Sequence, residues 1–476
     1  MTPAHTRSNK HPLFVLPAFA ALGLLTSCAV GPDFKRPDVA APAAFKTATE
    51  AEKAEPVLAS TWWTLFNDPE ISRFAEETLR SNLDIRAAMA RVDQARALTR
   101  SAEGDYSPQV ALNPTAARTR SATTDRTTNR FSLPLVASYE VDVWGRLRRQ
   151  SEFYRATEAA SAADFAVVLQ TALADVTQGY VNLRLFDTQR LILEKALALY
   201  RRQLELTQIK FKSGLALQTD VLKASTSVDS AINQLAENER LRAKQEHALA
   251  VLLGRAPSEL TLERGSLVTA VPVIPAGLPS ELLTRRPDVA SAERSLAAAN
   301  AQVGVAKANF FPSLSLTGAA GFESVDLQNL TEWGNRAWSF GPSLSLPIFQ
   351  GGKLNAALKQ AKARYEEGTA LYRTTVLGAF RDVEDQLSDL HLLADEATTL
   401  EATLVSAREY SRLTELQYQQ GLTTYLQVID ANQTLLTNEL SAARTQAQRL
   451  AATILLIKAL GGGWDPQVSP SLAAAK

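Results

Sequence analysis

The residue types that ordinarily carry chemistry are few in this chain of 476 residues, and they are scattered. Cysteine occurs once, at Cys28, and histidine four times, with His5 and His11 near the N-terminus and His247 and His391 far from each other. Such a set cannot build a Cys/His zinc cluster or a disulfide framework within one chain. His247 lies in the polar run Gln245-Glu246-His247, and His391 falls one position past the apolar Leu390, so both read as solvated or interfacial rather than catalytic. Serine is abundant, yet no Gly-x-Ser-x-Gly turn presents one, and no glycine loop is shaped to cradle phosphate. With 50 Lys+Arg against 50 Asp+Glu the net charge is zero, which gives no ground for a nucleic-acid partner. The expectation is passage rather than reaction: no enzyme, no cofactor and no bound metal.

The N-terminus has the plan of a secretory leader. Arg7, Lys10 and His11 precede an apolar run from Leu13 to Leu25, which is too short and, with Pro17, too interrupted for a comfortable membrane span. Leu25-Thr26-Ser27-Cys28 resembles a bacterial lipobox, which implies cleavage before Cys28 and acylation of its thiol. By the same resemblance Ala29, rather than Asp, favours delivery to the outer membrane. Cys28 is thus the expected lipid anchor.

The rest of the chain is written twice. Leu83 to Leu112 aligns without a gap on Pro287 to Leu316, pairing Asp84 with Asp288 and Pro108 with Pro312. With a shift of three further residues, Arg146 to Gly254 aligns on Lys353 to Gly461, pairing Phe211 with Tyr418, Gly214-Leu215 with Gly421-Leu422 and Leu253-Gly254 with Leu460-Gly461. The segments expected are a signal peptide (1–27), an N-terminal anchored segment (28–81), a first repeat (82–270), a Pro-rich connector (271–286), a second repeat (287–461) and a tail (462–476). Each repeat reads as helix, two strands, very long helix and second helix. No proline falls between Pro134 and Pro257 or between Pro347 and Pro466, so nothing there breaks a helix. Apolar residues recur at seven-residue spacing, Leu183, Leu197, Leu204 and Phe211 beside Phe186, Leu193 and Tyr200, and again Leu390, Ala397, Leu404 beside Leu393, Leu400, Ala407. Coiled-coil packing follows, with Gly214 and Gly421 reversing the chain at two hairpin tips.

The strands alternate over about ten residues, the length of a transmembrane β-strand. Phe131, Leu133, Leu135, Ala137, Tyr139, Val141 and Val143 form one series; Leu314 with Leu316, and Trp338, Phe340, Leu344, Leu346 and Ile348, form others, with small or polar residues between. A soluble hairpin with one buried face would alternate likewise. In a membrane, four strands per chain cannot close a barrel, so several chains would have to share one.

Taken in order, Gly31-Pro32-Asp33-Phe34, Trp62-Trp63, Asp68-Pro69, Asp142-Val143-Trp144-Gly145-Arg146, Arg285-Arg286-Pro287-Asp288-Val289, Pro347-Ile348-Phe349-Gln350-Gly351-Gly352 and the run from Gly421 to Asp430-Ala431 resemble the outer membrane factors, the TolC-like exit ducts, and most the lipoprotein branch serving multidrug efflux. The resemblance covers nearly the whole mature chain. It implies a mainly α fold with a membrane β-barrel: a homotrimer whose twelve strands form one barrel and whose helices form a periplasmic tunnel. It implies a periplasmic adaptor and an inner-membrane pump as partners, in contact at Gly214, Leu215, Gly421 and Leu422. It further implies a pore constriction at Asp430 with the apolar Leu426 beside it, and a latch between neighbouring coils made by Tyr418 with Thr219 and Asp220. Gln427 departs from the second acid that many relatives carry, which leaves one carboxylate ring, and Thr423 stands where some place an Arg. An exit duct for protein secretion and a non-conducting periplasmic coiled-coil lipoprotein stay open as alternatives.

Overall fold

The structure, a computed structural model, describes residues 29–49, 59–123, 125–267 and 270–464; the leader, Cys28 and residues 465–476 lie outside the described residues. After a helix α1 (Pro69–Ser81) come α2 (Leu83–Gly104), β1 (Gln109–Leu112), β2 (Thr115–Ser121), β3 (Arg126–Val141), α3 (Arg146–Lys212) and α4 (Gln218–Leu252). A short α5 (Pro279–Arg285) leads into α6 (Pro287–Ala308), β4 (Ser313–Ser324), β5 (Arg336–Ser345), α7 (Lys353–Gln419) and α8 (Tyr425–Ala459). The duplication is literal, because α2 and α6 both have 22 residues, α3 and α7 both 67, and α4 and α8 both 35. At 1.5 Å per residue each 67-residue helix is about 100 Å long.

The chain divides into two compact units that cut across the repeats, each repeat contributing to both. One unit contains residues 29–37, Asp93–Ala160 and Glu293–Leu371. Its sheet is ordered β1-β3-β4-β5, with β2 also on β3. The expected first strand is split, for a simple reason: the Asn113 amide donates to the Pro134 carbonyl at 3.1 Å, but Pro134 has no amide to return the bond, so the ladder lapses at Asn113-Pro114. The register is unbroken, Leu112 opposite Leu135 and Thr115 opposite Ser132. β3 and β5 end at Val141 and Ser345, short of Val143, Leu346 and Ile348. Beyond β3, the Asp142 carboxylate accepts from the amides of Leu147 and Arg148 at 3.0 and 2.9 Å and so starts α3. The Trp144 indole donates to the Pro312 carbonyl at 2.8 Å and stacks on Phe311. Gly31 adopts φ 114°, and a Cβ there would stand 2.5 Å from the Cα of Gly304, so the segment after Cys28 lies flat against α6 at a glycine-to-glycine approach.

The other unit contains the described residues of 38–92, 161–292 and 372–464. Here α3 packs against α4 and α8 along the seam its heptads indicate: Leu193, Leu197 and Tyr200 form one buried cluster with Val228, Ala231 and Leu436. Phe211, placed on that row by its spacing, is instead exposed beside the turn. One window of α3 is apolar enough for a membrane span by length and composition, and half of it is buried within the chain. Trp62 and Trp63 are buried, and Asp68 caps α1, accepting from the Glu70 amide at 2.8 Å and from the Tyr180 hydroxyl at 3.1 Å.

Candidate functional site at the hairpin turns

Each long helix ends in a left-handed glycine, Gly214 at φ 75° and Gly421 at φ 77°. In both turns the next amide reaches back into the helix at 2.8 Å, Leu215 to the Lys210 carbonyl and Leu422 to the Gln417 carbonyl. The geometry thrusts the two leucines outward, and they are 78% and 73% exposed. The four residues expected to meet a partner therefore form two alike, projecting apolar turns.

Equivalent residues near the start of each hairpin's second helix are used differently. The Asp220 carboxylate accepts from the Leu217 amide at 3.2 Å. Its repeat counterpart Gln427 accepts from the Thr423 hydroxyl. The absent second acid is thus replaced by a neutral group that serves the turn.

Tyr418 is buried with Tyr425, Val428 and Ala224. Its hydroxyl lies 3.4 Å from that of Thr207, and the Lys210 ammonium sits 3.7 Å from its ring centroid while donating to its carbonyl at 2.7 Å. Burial pushes the Tyr418 hydroxyl pKa up, against the Thr207 bond and with the charges of Asp220 and Glu415. Asp220 is therefore near enough to be felt, although within the chain its bond goes to Leu217. Thr219 is exposed. Leu426 and Asp430 stand one turn apart on an exposed face of α8, while Tyr425 and Val428 occupy the buried face. Asp430 accepts from the Tyr410 hydroxyl at 3.3 Å, a contact the spacing did not indicate.

A buried ionic node also escaped the sequence. Asp187 accepts from Arg242 Nε at 2.6 Å, from Arg184 at 3.0 Å and from the Gly265 amide at 3.1 Å. Arg242 and Arg184 go on to the carbonyls of Leu262 and Glu263, pinning the stretch that precedes the connector onto the first hairpin. His247 is exposed and His391 half-buried. Among the described residues, no three His, Cys, Asp or Glu are grouped to hold a metal ion.

A profile of the outer membrane efflux proteins matches residues 74–255 and 278–462, one segment per repeat. The chain is 34% identical over 475 residues to the solvent efflux pump outer membrane protein SrpC of Pseudomonas putida, covering 94% of this chain and 98% of that one. It is 32% identical over 464 residues to the cation efflux system protein CusC of Escherichia coli O6:H1, covering 95% and 99%. Among solved structures, the outer-membrane channel OprN superposes with a TM-score of 0.87 at 31% identity, covering 92% of this chain and all of that one. With its duplicated helices, its alternating strands and these relatives in agreement, the chain belongs to the outer membrane efflux protein family and is an outer-membrane exit duct for efflux.

Proposed function

We propose that three copies form one conduit, which passively carries small molecules such as drugs from a periplasmic adaptor and an inner-membrane pump to the outside. The observation that carries this reading is the sheet, with one apolar face, one small and polar face, and two open edges in β1/β2 and β5. Export names as different as solvent and cation among the relatives support a duct that leaves selection to its pump. Nothing in the mechanism requires bond chemistry. The projecting Leu215 and Leu422 offer the adaptor two apolar knobs, and Cys28 would tether the chain through acyl groups; mass spectrometry of the N-terminal peptide reads that modification directly.

The resting gate lies at the turns. Leu426 supplies an apolar plug, Asp430 a carboxylate ring beside it, and Tyr418 with Asp220 and Thr219 the hydrogen bonds that hold neighbouring coils together. A hydrogen bond from a Tyr hydroxyl to a carboxylate contributes roughly 1.5 to 3 kcal/mol, enough to bias a gate and weak enough for an adaptor to release. Planar-bilayer recording tests the reading. The parent should show small single-channel events, and Tyr418→Phe combined with Asp220→Asn should enlarge them, Asn being chosen because it keeps an acceptor for the Leu217 amide. A parent that never conducts would defeat the duct; equal conductance of parent and variant would defeat the latch alone.

A further inference from the structure

The zero net charge hides a local excess. Between Thr115 and Ser132 the chain carries Arg118, Arg120, Arg126 and Arg130 against Asp125 alone. The strand register sorts these arginines by face. Arg118 stands opposite Asn129 and Arg120 opposite Thr127, in line with Phe131, Leu133 and Leu135. Arg130 opposite Ala117, and Arg126 opposite Ser121, belong to the other face. On the far strand Arg336, opposite Phe322, shares the face of Leu133. That face is otherwise apolar from the row of Val141, Leu314 and Leu344 upward, through Tyr139 with Leu316, Val110 with Ala137 and Phe340, and Leu112 with Leu135 and Trp338. No carboxylate occurs among its paired residues. From Val141 to Phe131 it spans about 33 Å along the strand, or about 25 Å at a tilt of about 40°, the height of a lipid-facing band.

The three guanidiniums at its head are poised rather than spent. Asp125 holds Arg120 through Nε and Nη2, at 3.1 and 2.5 Å, and leaves Nη1. Arg336 donates Nε to the Trp333 carbonyl at 2.6 Å and lies 3.6 Å from the centroid of that exposed ring, which leaves both Nη groups. Arg118 has no hydrogen-bond or ion-pair partner among the described residues. The β2–β3 ladder runs on to Ser121 and Arg126, while the β4–β5 ladder stops at Phe322 and Arg336. A tilted barrel staggers neighbouring strands in this sense, which draws the arginines toward one level.

We propose that Arg118, Arg120 and Arg336 form an outward-facing crown that grips the phosphate groups of phosphorylated saccharolipid in the outer leaflet. This rests on the duct reading, since α3 and α7 leave the sheet at the opposite end and put these hairpins on the outside. A guanidinium fork matches phosphate oxygens, and an interfacial Trp suits the headgroup level. Free phosphate would find the same forks but would make no use of the apolar face below them; acyl chains do.

The test uses the full protein in detergent, incubated with equal amounts of phosphorylated and dephosphorylated outer-leaflet saccharolipid, with and without excess inorganic phosphate, and retained lipid is counted by native mass spectrometry. The parent should prefer the phosphorylated form, and the triple change Arg118→Gln, Arg120→Gln, Arg336→Gln should lower its retention roughly tenfold or more. The opposite-face pair Arg126→Gln, Arg130→Gln, which removes two charges from the same hairpin, should keep it. Undiminished retention in the triple variant, equal loss in the opposite-face pair, or displacement by inorganic phosphate overturns the crown. Bilayer conductance of the same preparations separates the two proposals, because a parent that conducts without lipid preference overturns the crown and leaves the duct standing.

Discussion

Asp187 is the residue whose importance the structure reveals most plainly. It is 1% exposed in its side chain, between Arg184 and Arg242, which are 9% and 8% exposed. Deleting the carboxylate would leave buried Arg184 without an anionic partner and Arg242 with Glu246 alone, so Asp187→Ala should destabilise the protein by about 3 kcal/mol. Glu239 also meets two arginines, Arg190 and Arg264, but in solvent, and Glu239→Ala should cost less than about 1 kcal/mol. Denaturation midpoints of the two variants in one detergent check this; equal shifts would show that the node is not buried in the assembled protein. The repeat alignment hides the node, because the second copy has His391 and Ala394 where the first has Arg184 and Asp187. Elsewhere the copies solve one problem with different residues. Asn82 donates to the Leu252 carbonyl at 2.8 Å, and at the equivalent place Arg286 donates to the Ala459 carbonyl at 3.0 Å. Each of these residues secures the last turn of its own repeat's final helix, a role that residue type alone does not disclose.

At the scale of elements, α8 carries the sharpest prediction. Three Asp430 carboxylates converging at about 6 Å would repel by about 3 kcal/mol per pair at an effective dielectric of about 20. Cations ease such a ring, so the duct should prefer cations and be partly blocked by multivalent ones, and Asp430→Ala should weaken both effects. Reversal potentials across a salt gradient measure this, and an unchanged potential would remove Asp430 from the narrowest point. The long helices, their turning glycines and the alternation of β3 were legible in the sequence, because proline absence, heptad spacing and period-two patterning each act locally. The helices α1 and α5 were not, since α1 lies in a segment read for its anchor and α5 occupies seven residues of a stretch read as a Pro-rich connector. The split between β1 and β2 needed the partner strand, since the missing amide is that of Pro134 on β3, which cannot donate back to Asn113. Likewise Tyr410 and Asp430 are twenty residues apart and meet only because the hairpin closes.

At the scale of the molecule, the repeats are alike in length and unlike in cover. Along α3, Leu183, Leu193, Leu197 and Tyr200 are buried within the chain, whereas on α7 the matching Leu390, Leu400 and Leu404 are half-buried and Leu392 and Val405 are 65% and 64% exposed. Apolar surface of that kind on a helix calls for a further helix to lie against it. The sheet makes the same demand at its edges, for unpaired strand edges are not tolerated in lipid. Two copies would bring eight strands, and an eight-stranded barrel has an interior that side chains just fill. Such a barrel conducts little. Three copies of four strands give twelve, which opens a lumen lined by the small and polar face, with Ser138, Thr317 and Gly341 in one row and Glu140, Ser315 and Ser343 in the next. The protein in detergent should therefore run as a trimer by light scattering, and amine cross-linking should proceed through dimer to trimer and stop. Cross-linking that ends at dimer, or a monodisperse monomer that still conducts in a bilayer, would refute the shared barrel.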